Sequence, residues 1–224
     1  MKRSEINAII RNTMSFLEER NFMLPPFAFR TPEDWAAAGP EADEIRNNQL
    51  GWDVTDFGRG DFKKFGITIF TLRNGNHNDP DDKKLYAEKI LIVEEGQMTP
   101  MHFHRMKMED IINRGGGNLM MEVYNSTPDD KPADSDVTVS LDGVKRTLPA
   151  GAVLRLAPGE SVTVTPLLYH KFWVEGGKVL IGEVSSVNDD YTDNVFLDPI
   201  GRFPEIEEDE PPLRLLMTEY PKAK

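Results

Sequence analysis

The stretch GQMTPMHFHRMKMEDIINRGG, residues 96–116, contains two of the four histidines of the chain, His102 and His104. On an extended strand, side chains two positions apart point to the same face, so the two imidazoles would lie together. Glu109 follows five positions after His104, an odd spacing that places it on the opposite face of an unbroken strand. We therefore expect a turn at residues 105–108 that brings Glu109 to the imidazoles. Two imidazoles and a carboxylate, completed by one distant histidine, would suit a divalent transition metal.

The composition favours a globular protein with a large buried core. The chain has 224 residues, of which 39% are hydrophobic, and it has no cysteine. The lack of cysteine excludes a disulfide framework and thiol catalysis, and it fits a reducing compartment, so we expect a cytoplasmic protein. No apolar run approaches the roughly 20 residues of a membrane span, and the opening MKRSEINAII lacks the apolar core of a signal peptide.

The net charge of −12 argues against nucleic acid and anionic membrane surfaces as partners. A strongly anionic ligand would also need a local cluster of basic residues, and none is evident in the sequence. The charge therefore favours a neutral small molecule as the ligand.

The hydrophobic pattern predicts helices at the start of the chain and strands after it. Apolar residues at spacings of three and four predict an amphipathic helix over residues 4–20, with Ser4 as its N-cap. Thr31 and Pro32 are typical of a second helix start. From about residue 65, β-branched and aromatic residues predict strands, with turns at glycine-rich positions such as 115–117. We expect these strands at residues 66–72, 89–94, 118–124, 137–141, 153–156, 161–165, 170–174 and 179–187.

Many short strands at close, regular spacing indicate an antiparallel sandwich or barrel. No linker separates a second domain, so we treat residues 1–224 as one domain. Its parts are a helical N-terminal extension over residues 1–60, a β-barrel over 65–187 and an irregular tail over 188–224 that covers the barrel.

His170 is the best candidate for the distant fourth ligand. It follows a hairpin signal at Pro158 and Gly159, and in a barrel this hairpin can return to the strand that bears His102. His77, in contrast, lies in a loop of Asn, Gly, Asp and Pro, so we expect it to be a solvated loop histidine.

The spacing within the opening stretch resembles a known pattern. Gly96, five residues, His102-x-His104, four residues, Glu109, six residues and Gly116 reproduce the first motif of the cupins at every spacing. This resemblance implies an all-β fold, the cupin β-barrel or jelly roll, here with N-terminal helices. It also implies a metal site in which the first three ligands are the two histidines and the glutamate of this motif.

The second cupin motif is matched only in part, by Pro166 and His170. The usual glycine between them is absent, their spacing is one residue short, and Val174 stands where the motif has asparagine. Taken together, the two motifs imply the metal ligands His102, His104, Glu109 and His170.

A narrower resemblance covers nearly the whole chain. The segments HFHRMKMEDIINRGGG (102–117), TPLLYHKFW (165–173), NDDYTDN (188–194) and GRFPEIEEDE (201–210) are similar to those of cupin-type D-lyxose isomerases. The resemblance implies interconversion of D-lyxose with D-xylulose, and of D-mannose with D-fructose. It further implies one divalent ion, Mn²⁺ or else Zn²⁺, Co²⁺, Fe²⁺ or Ni²⁺, and a homodimer.

Aldose–ketose isomerisation moves a proton between C1 and C2 of a sugar, and therefore needs a base and a group that serves the oxygens. Lys107 lies between the second and third ligands, so we expect it to be a catalytic group. For the base we favour Glu205, with Asp190 and Glu183 as competing carboxylates. Arg202 and Asp190 are the candidates for binding sugar hydroxyls. The expected path is proton transfer through a cis-enediol, with a hydride shift as the alternative.

Other functions are compatible with the same ligands. An Fe²⁺-dependent cupin dioxygenase could use an identical set of three histidines and one glutamate. A non-catalytic cupin that binds or senses a sugar is a further alternative. A sugar-phosphate isomerase is less favoured, because it would need a basic phosphate pocket.

Overall fold

The computed structural model describes residues 1–223, and in this part of the chain eleven strands form one antiparallel sheet. The main path through the sheet runs β1-β2-β3-β10-β5-β9-β6-β7, while β8 pairs with β5, and β4 pairs with both β10 and β11. This architecture confirms the predicted β fold. The strands are β1 (Gly51–Thr55), β2 (Ile67–Arg73), β3 (Tyr86–Val93), β4 (His102–His104), β5 (Glu109–Asn125), β6 (Val137–Leu141), β7 (Val144–Leu148), β8 (Ala152–Leu156), β9 (Ser161–Val164), β10 (Leu168–Ser186) and β11 (Asn194–Phe196).

Two long strands, β5 and β10, pair with each other and form the centre of the sheet. The turn predicted at residues 115–117 is wrong, because this segment lies within β5, opposite an irregularity of β10. A Cβ atom on Gly116 would lie only 2.0 Å from the carbonyl oxygen of Lys178, and one on Gly117 only 2.4 Å from that of Glu175. The glycines therefore permit a close approach of two backbones, not a chain reversal.

The sequence had suggested that the first 60 residues form a helical extension. Residues 51–55 instead form the strand β1, which pairs with β2. All five residues of β1 are buried. Trp52 and Val54 pack beneath the first helix, whereas Asp53 and Thr55 point the other way and bond to Arg202. An aspartate and a glycine at a strand start give no clear strand signal, so the sequence did not reveal β1.

The helices cover one outer face of the sheet. They are α1 (Arg3–Glu19), α2 (Pro32–Ala37), α3 (Asp43–Asn47) and α4 (Phe62–Phe65), with short 3₁₀ turns at Pro26–Phe29 and Pro40–Ala42. Ile6, Ile10 and Leu17 of α1 pack against Trp52 and Phe70 in one apolar cluster. Burial of this face stabilises α1 far more than helix propensity could. No helix within residues 1–223 has the length and apolarity needed to cross a membrane.

The ends of the two first helices differ in how they are capped. Thr31 caps α2 as predicted, in a reciprocal capping box with Asp34. Ser4 is not the N-cap of α1, because the helix already begins at Arg3 and Ser4 bonds to Asp209 instead.

The tail after β10 contacts two separate parts of the molecule, the strand β4 and the helix α1. Its strand β11 pairs with β4 and so lies beside the histidine-bearing strand. Further on, the acidic run of residues 205–210 lies along the start of α1, where Glu208 accepts from the buried guanidinium of Arg3 and Glu210 accepts from Asn7. The acidic run therefore holds the N-terminal helix in place.

Candidate metal centre and catalytic cavity

The three histidines predicted as ligands meet inside the barrel. His102 and His104 lie on β4 with their side chains on one face, and His170 on β10 is paired in register with His102. The potential ligand atoms of the three rings lie within 4.8 Å of one another. The remaining histidine, His77, is exposed in a loop, as the sequence predicted.

Backbone carbonyls fix the tautomers of two of these rings. The Nδ1 atom of His102 lies 2.9 Å from the carbonyl oxygen of Pro100, and that of His170 lies 3.0 Å from the carbonyl oxygen of Leu168. A carbonyl can only accept, so each Nδ1 donates to it, and Nε2 is the ring atom that can bind a metal ion. Enclosure by the protein, together with the neighbouring imidazoles, holds the pKa of His102 well below its usual range. Rings oriented in this way are suited to bind a metal ion.

Glu109 reaches the imidazoles because the chain bends between β4 and β5, as the spacing required. Its Oε1 atom lies 3.2 Å from Nε2 of His170 and 3.5 Å from Nε2 of His104. The bend is held by Asp193, whose carboxylate accepts from the backbone N–H groups of Met106 and Lys107 at 2.8 and 3.0 Å.

The charge state of Glu109 also suits a metal ligand. Burial alone would raise the pKa of this carboxyl, but Lys107 and His104 outweigh burial and hold it well below its usual range. The structure thus brings an ionised carboxylate to three imidazoles, a donor set that fits a divalent transition ion. We refer to His102, His104, Glu109 and His170 as the histidine cluster.

Lys107 is buried next to this cluster and is not a solvated turn residue. Its Nζ atom lies 2.8 Å from Oε2 of Glu109, 3.0 Å from Oε1 of Glu183 and 3.2 Å from Oδ1 of Asn188. Burial lowers the pKa of this amine, but the two carboxylates outweigh burial and hold the pKa above its usual value. Lys107 is therefore an ammonium group at neutral pH, in contact with two buried carboxylates.

Glu205, which the sequence suggested as the base, does not reach the cavity. Its side chain is exposed, and its backbone carbonyl accepts a hydrogen bond of 2.6 Å from the ammonium group of Met1. The chain leaves the barrel after Pro204 and runs along α1, which carries this carboxylate away from the histidines. Of the three carboxylates considered for the base, Glu183 and Asp190 line the cavity. Glu183 lies against Lys107, whereas Asp190 lies against Arg202 and Lys89.

Asp190 and Arg202, predicted to bind substrate, line the same cavity as the histidines. Arg202 donates from Nε to Asp190 at 3.1 Å and from Nη2 to Asp53 at 2.6 Å. Lys89 lies beside Asp190, with Nζ and Oδ2 separated by 3.4 Å. Burial would raise the pKa of Asp190, but Arg202 and Lys89 outweigh it and hold the pKa well below its usual range. We call Asp53, Lys89, Asp190 and Arg202 the arginine cluster.

Asn188 connects the two clusters. Its side-chain oxygen accepts from Lys107, while its side-chain nitrogen donates to Asp190 at 2.9 Å. A single buried amide thus joins the lysine beside the histidine cluster to the carboxylate beside Arg202. The two clusters form one continuous polar network.

The sequence did not identify Lys89 or Asp53 as functional residues. Lys89 and Leu91 lie on one face of β3 and line the cavity. Ile90 and Ile92 lie on the other face, which is also apolar. Strand parity alone could not show which face points inward. A charged residue inside an otherwise apolar strand was the signal that could have identified Lys89.

The cavity between the clusters opens to solvent. It contains about 480 Å³ of empty space, counted with that opening. Aromatic and aliphatic side chains complete the wall, among them Phe57, Phe172 and Phe196. A cavity with one apolar wall and several buried hydrogen-bonding groups can bind and orient a polyhydroxylated molecule.

The chain is similar in sequence to proteins of known function. A family model described as D-lyxose isomerase matches residues 1–220 of the chain. A D-lyxose/D-mannose isomerase of Escherichia coli O157:H7 is 51% identical over 223 residues, and one of Serratia proteamaculans is 52% identical over 223 residues. Each of these alignments covers 98% of this chain and 98% of the relative.

Solved structures agree in fold. The L-ribose isomerase of Acinetobacter sp. DL28, in complex with L-ribose, matches with a TM-score of 0.61 at 16% identity. That of Cellulomonas parahominis with L-ribose matches with a TM-score of 0.61 at 15% identity. Both matches cover 92% of this chain and 98% of the solved chain. At these identities the structural likeness shows a shared fold alone.

Proposed function

This chain belongs to the D-lyxose isomerase family, and from that premise we propose that it interconverts D-lyxose with D-xylulose, and D-mannose with D-fructose, using a bound divalent cation. Membership of the family makes the chain an aldose–ketose isomerase. It decides against the two alternatives considered from the sequence, a dioxygenase and a non-catalytic sugar-binding protein.

One observation carries the proposal. A buried carboxylate, Glu183, and a buried ammonium group, Lys107, lie 3.0 Å apart in the cavity that also contains the three imidazoles. Isomerisation needs a base for the carbon-bound proton and a positive charge for the developing oxyanion, both out of contact with bulk water. The cavity provides the two groups side by side.

The histidine cluster would hold the cation, because its Nε2 lone pairs and the Glu109 carboxylate converge in one place. A divalent cation bound there would act as a Lewis acid toward neighbouring sugar oxygens and would stabilise negative charge on them. All remaining parts of the mechanism are supplied by side chains of the cavity.

In the proposed mechanism Glu183 takes the proton from C2 of the aldose, and the electron pair of the C–H bond forms the C1–C2 double bond of an enediolate. Lys107 donates a hydrogen bond to the oxygen on which the charge develops. Glu183 then gives a proton to C1, while the hydroxyl proton passes from O2 to O1, which yields the ketose. Because Lys107 remains an ammonium group at neutral pH, its role is electrostatic stabilisation and not proton donation.

The arginine cluster would bind the part of the sugar that does not react. Arg202 and Lys89 line the cavity as donors, and Asp190 lines it as an acceptor. A sugar hydroxyl both donates and accepts, so adjacent donors and acceptors can orient it. Orientation of this kind holds C1 and C2 near the base and contributes to rate through positioning.

The proposal includes Mn²⁺ as the resident ion, a homodimer as the assembly and the cytoplasm as the location. Each of these is carried over from the sequence resemblance or composition. Metal analysis of the purified protein tests the first, and light scattering coupled to gel filtration tests the second.

The decisive experiment assays ketose formation from D-lyxose, D-mannose, D-ribose and D-xylose, with Mn²⁺ and after chelation. We expect turnover of D-lyxose and D-mannose that is lost on chelation and restored by Mn²⁺. No ketose from any of the four sugars would overturn the proposed function, and turnover that survives full removal of metal would overturn the role of the cation.

The same reaction run in D₂O distinguishes the two possible paths. Proton transfer through Glu183 allows exchange with solvent, so deuterium is expected at C1 of the ketose. A product without deuterium would instead support a hydride shift. Oxygen uptake measured in parallel tests the dioxygenase alternative, and we expect none.

A further inference from the structure

Arg202 is held from two sides in a way that leaves one of its nitrogen atoms free. Its Nε donates to Asp190 and its Nη2 donates to Asp53, whereas Nη1 is buried and has no hydrogen-bonding partner among residues 1–223. The side chain is 10% exposed and lines the cavity. Buried guanidinium hydrogens without an acceptor are unfavourable, so such a group is typical of a site that a ligand completes.

The strand β1 holds Arg202 twice. Asp53 and Thr55 are the two residues of β1 that point away from α1, and they follow each other on one face of the strand. Asp53 accepts from the guanidinium at 2.6 Å, and the hydroxyl of Thr55 donates to the backbone carbonyl of Arg202 at 2.8 Å. Both the backbone and the side-chain end of Arg202 are therefore fixed to the same strand.

Packing of β1 does not explain the carboxylate of Asp53. The apolar contacts of the strand are made on its other face by Trp52 and Val54, which belong to the cluster beneath α1. A buried carboxylate is costly to the fold unless it is paired, and Asp53 is paired with Arg202. Asp53 is buried and is not part of the cavity lining, so it cannot itself contact a ligand there.

Loss of Asp53 would leave the guanidinium with Asp190 as its remaining carboxylate partner. Asp190 already shares its oxygens with Lys89 and with the amide of Asn188. Held at Nε alone, the guanidinium plane could pivot about that single bond, and the direction of Nη1 would no longer be defined.

We propose that Asp53 is a positioning residue for substrate binding, which fixes Arg202 so that Nη1 donates to a hydroxyl oxygen of the bound sugar. This inference rests on the proposed function, because it takes the cavity ligand to be a monosaccharide. Asp53 acts only through Arg202, and it takes no part in the proton transfer by Glu183.

The test compares Asp53→Ala, Asp53→Asn and Arg202→Ala in the Mn²⁺-loaded protein, with D-mannose as substrate. For Asp53→Ala we expect KM to rise about tenfold or more, the effect of losing one hydrogen bond to a charged group, with kcat changed by less than about threefold. Asn at this position keeps an acceptor for Nη2, so it should recover most of the affinity.

Non-additivity distinguishes positioning from a general structural effect. If Asp53 acts through Arg202, then Asp53→Ala should have no further effect on kcat/KM once Arg202→Ala is present. Asp43→Ala is the matched control, because it removes the partner of Arg46 in an Asp–Arg pair that lies outside the cavity. This control should leave KM unchanged.

Each outcome has a clear meaning. Additive effects of the two substitutions, or an unchanged KM in Asp53→Ala and Asp53→Asn alike, would overturn the role of Asp53 while leaving the isomerase function intact. A wild-type protein that converts none of the sugars would overturn the proposed function, and this inference with it. If Asp53→Ala fails to fold, Asp53→Asn in the wild-type and Arg202→Ala backgrounds gives the same comparison with a smaller expected change of about threefold.

Discussion

The histidine cluster and the arginine cluster line one cavity, but their electrostatic states differ. The histidine cluster brings three imidazoles and one carboxylate together, and burial with the neighbouring imidazoles holds the pKa of His102 well below its usual range. In the arginine cluster, each cation faces a carboxylate, and one guanidinium nitrogen has no hydrogen-bonding partner within residues 1–223. The first arrangement is suited to take up a cation, and the second is suited to hold its own charges and offer a donor to a neutral ligand.

The difference shows how one barrel can bind a metal ion and a sugar side by side. A metal ion binds to ligand atoms that have no other partner, and burying such atoms is unfavourable when the ion is absent. A sugar needs groups whose positions are already fixed, since any freedom they lose on binding reduces affinity. The following predictions change one side of the cavity at a time and measure whether the other side responds.

The largest effect is expected at Glu183, which lies against Lys107 in the cavity. Glu183→Gln removes the base without changing its shape, so kcat should fall about 10²- to 10⁴-fold, with loss of C2-proton exchange in D₂O. Glu205→Gln is the matched control and should keep full activity, since this residue is exposed away from the cavity. Metal content of both variants should equal that of the wild type. Full turnover by Glu183→Gln, or inactivity of Glu205→Gln, would contradict this assignment of the base.

Loss of a metal ligand should change ion affinity but leave the arginine cluster unaffected. For His170→Ala we expect Mn²⁺ affinity, measured by calorimetry, to fall by more than the roughly 10- to 100-fold that the loss of an outer partner costs. Arg202→Ala should bind Mn²⁺ as the wild type does, because Arg202 has no contact with the four ligands. Equal loss of Mn²⁺ affinity in both variants would show that the two clusters do not act independently.

The same contrast explains which part of the site could be predicted from sequence. Three of the proposed ligands lie within residues 102–109, where strand parity and a bend determine how the side chains meet. Local spacing therefore predicted the histidine cluster and even the bend before Glu109. The fourth ligand, His170, needed the added assumption that distant strands pair in a barrel.

The arginine cluster could not be found in this way. Its members lie on β1, on β3 and in the tail, so that only the pairing of strands brings them together. Glu183 illustrates the difficulty, because both faces of its strand are apolar, with Leu180 in the cluster beneath α1 and Ile181 in the barrel core. Without the pairing partners, nothing distinguished Glu183 from Glu205. The missed strand β1 removed Asp53 from consideration as well.

The buried charges of the arginine cluster should also affect stability. Lys89→Met leaves Asp190 with fewer partners in a buried site, so the free energy of unfolding in urea should fall by about 1–3 kcal/mol. This decrease in unfolding free energy should be smaller than that caused by breaking an isolated buried ion pair, because Arg202 and Asn188 still bond to Asp190. Lys131→Met is the matched control, since Lys131 pairs with Asp129 on the surface, and its cost should be under about 1 kcal/mol. Equal costs for the two variants would mean that the buried lysine does not stabilise the cluster.

The smallest effect concerns pH, and it follows from the low pKa of Asp190. Arg202 and Lys89 outweigh the effect of burial and depress this pKa in the folded protein, so the carboxylate stabilises the fold above the pKa of the unfolded chain, which is about 3.9. This contribution is lost only as the pH falls through the lower, folded value. The difference in unfolding free energy between the wild type and Asp190→Asn should therefore be constant from about pH 5 to pH 8 and should shrink below about pH 4. Urea unfolding of both proteins across this range measures it, and a difference that already shrinks between pH 7 and pH 5 would mean that Asp190 is not held ionised. A constant difference would show that Asp190 keeps its charge, and so its ion pair with Arg202, from about pH 5 to pH 8.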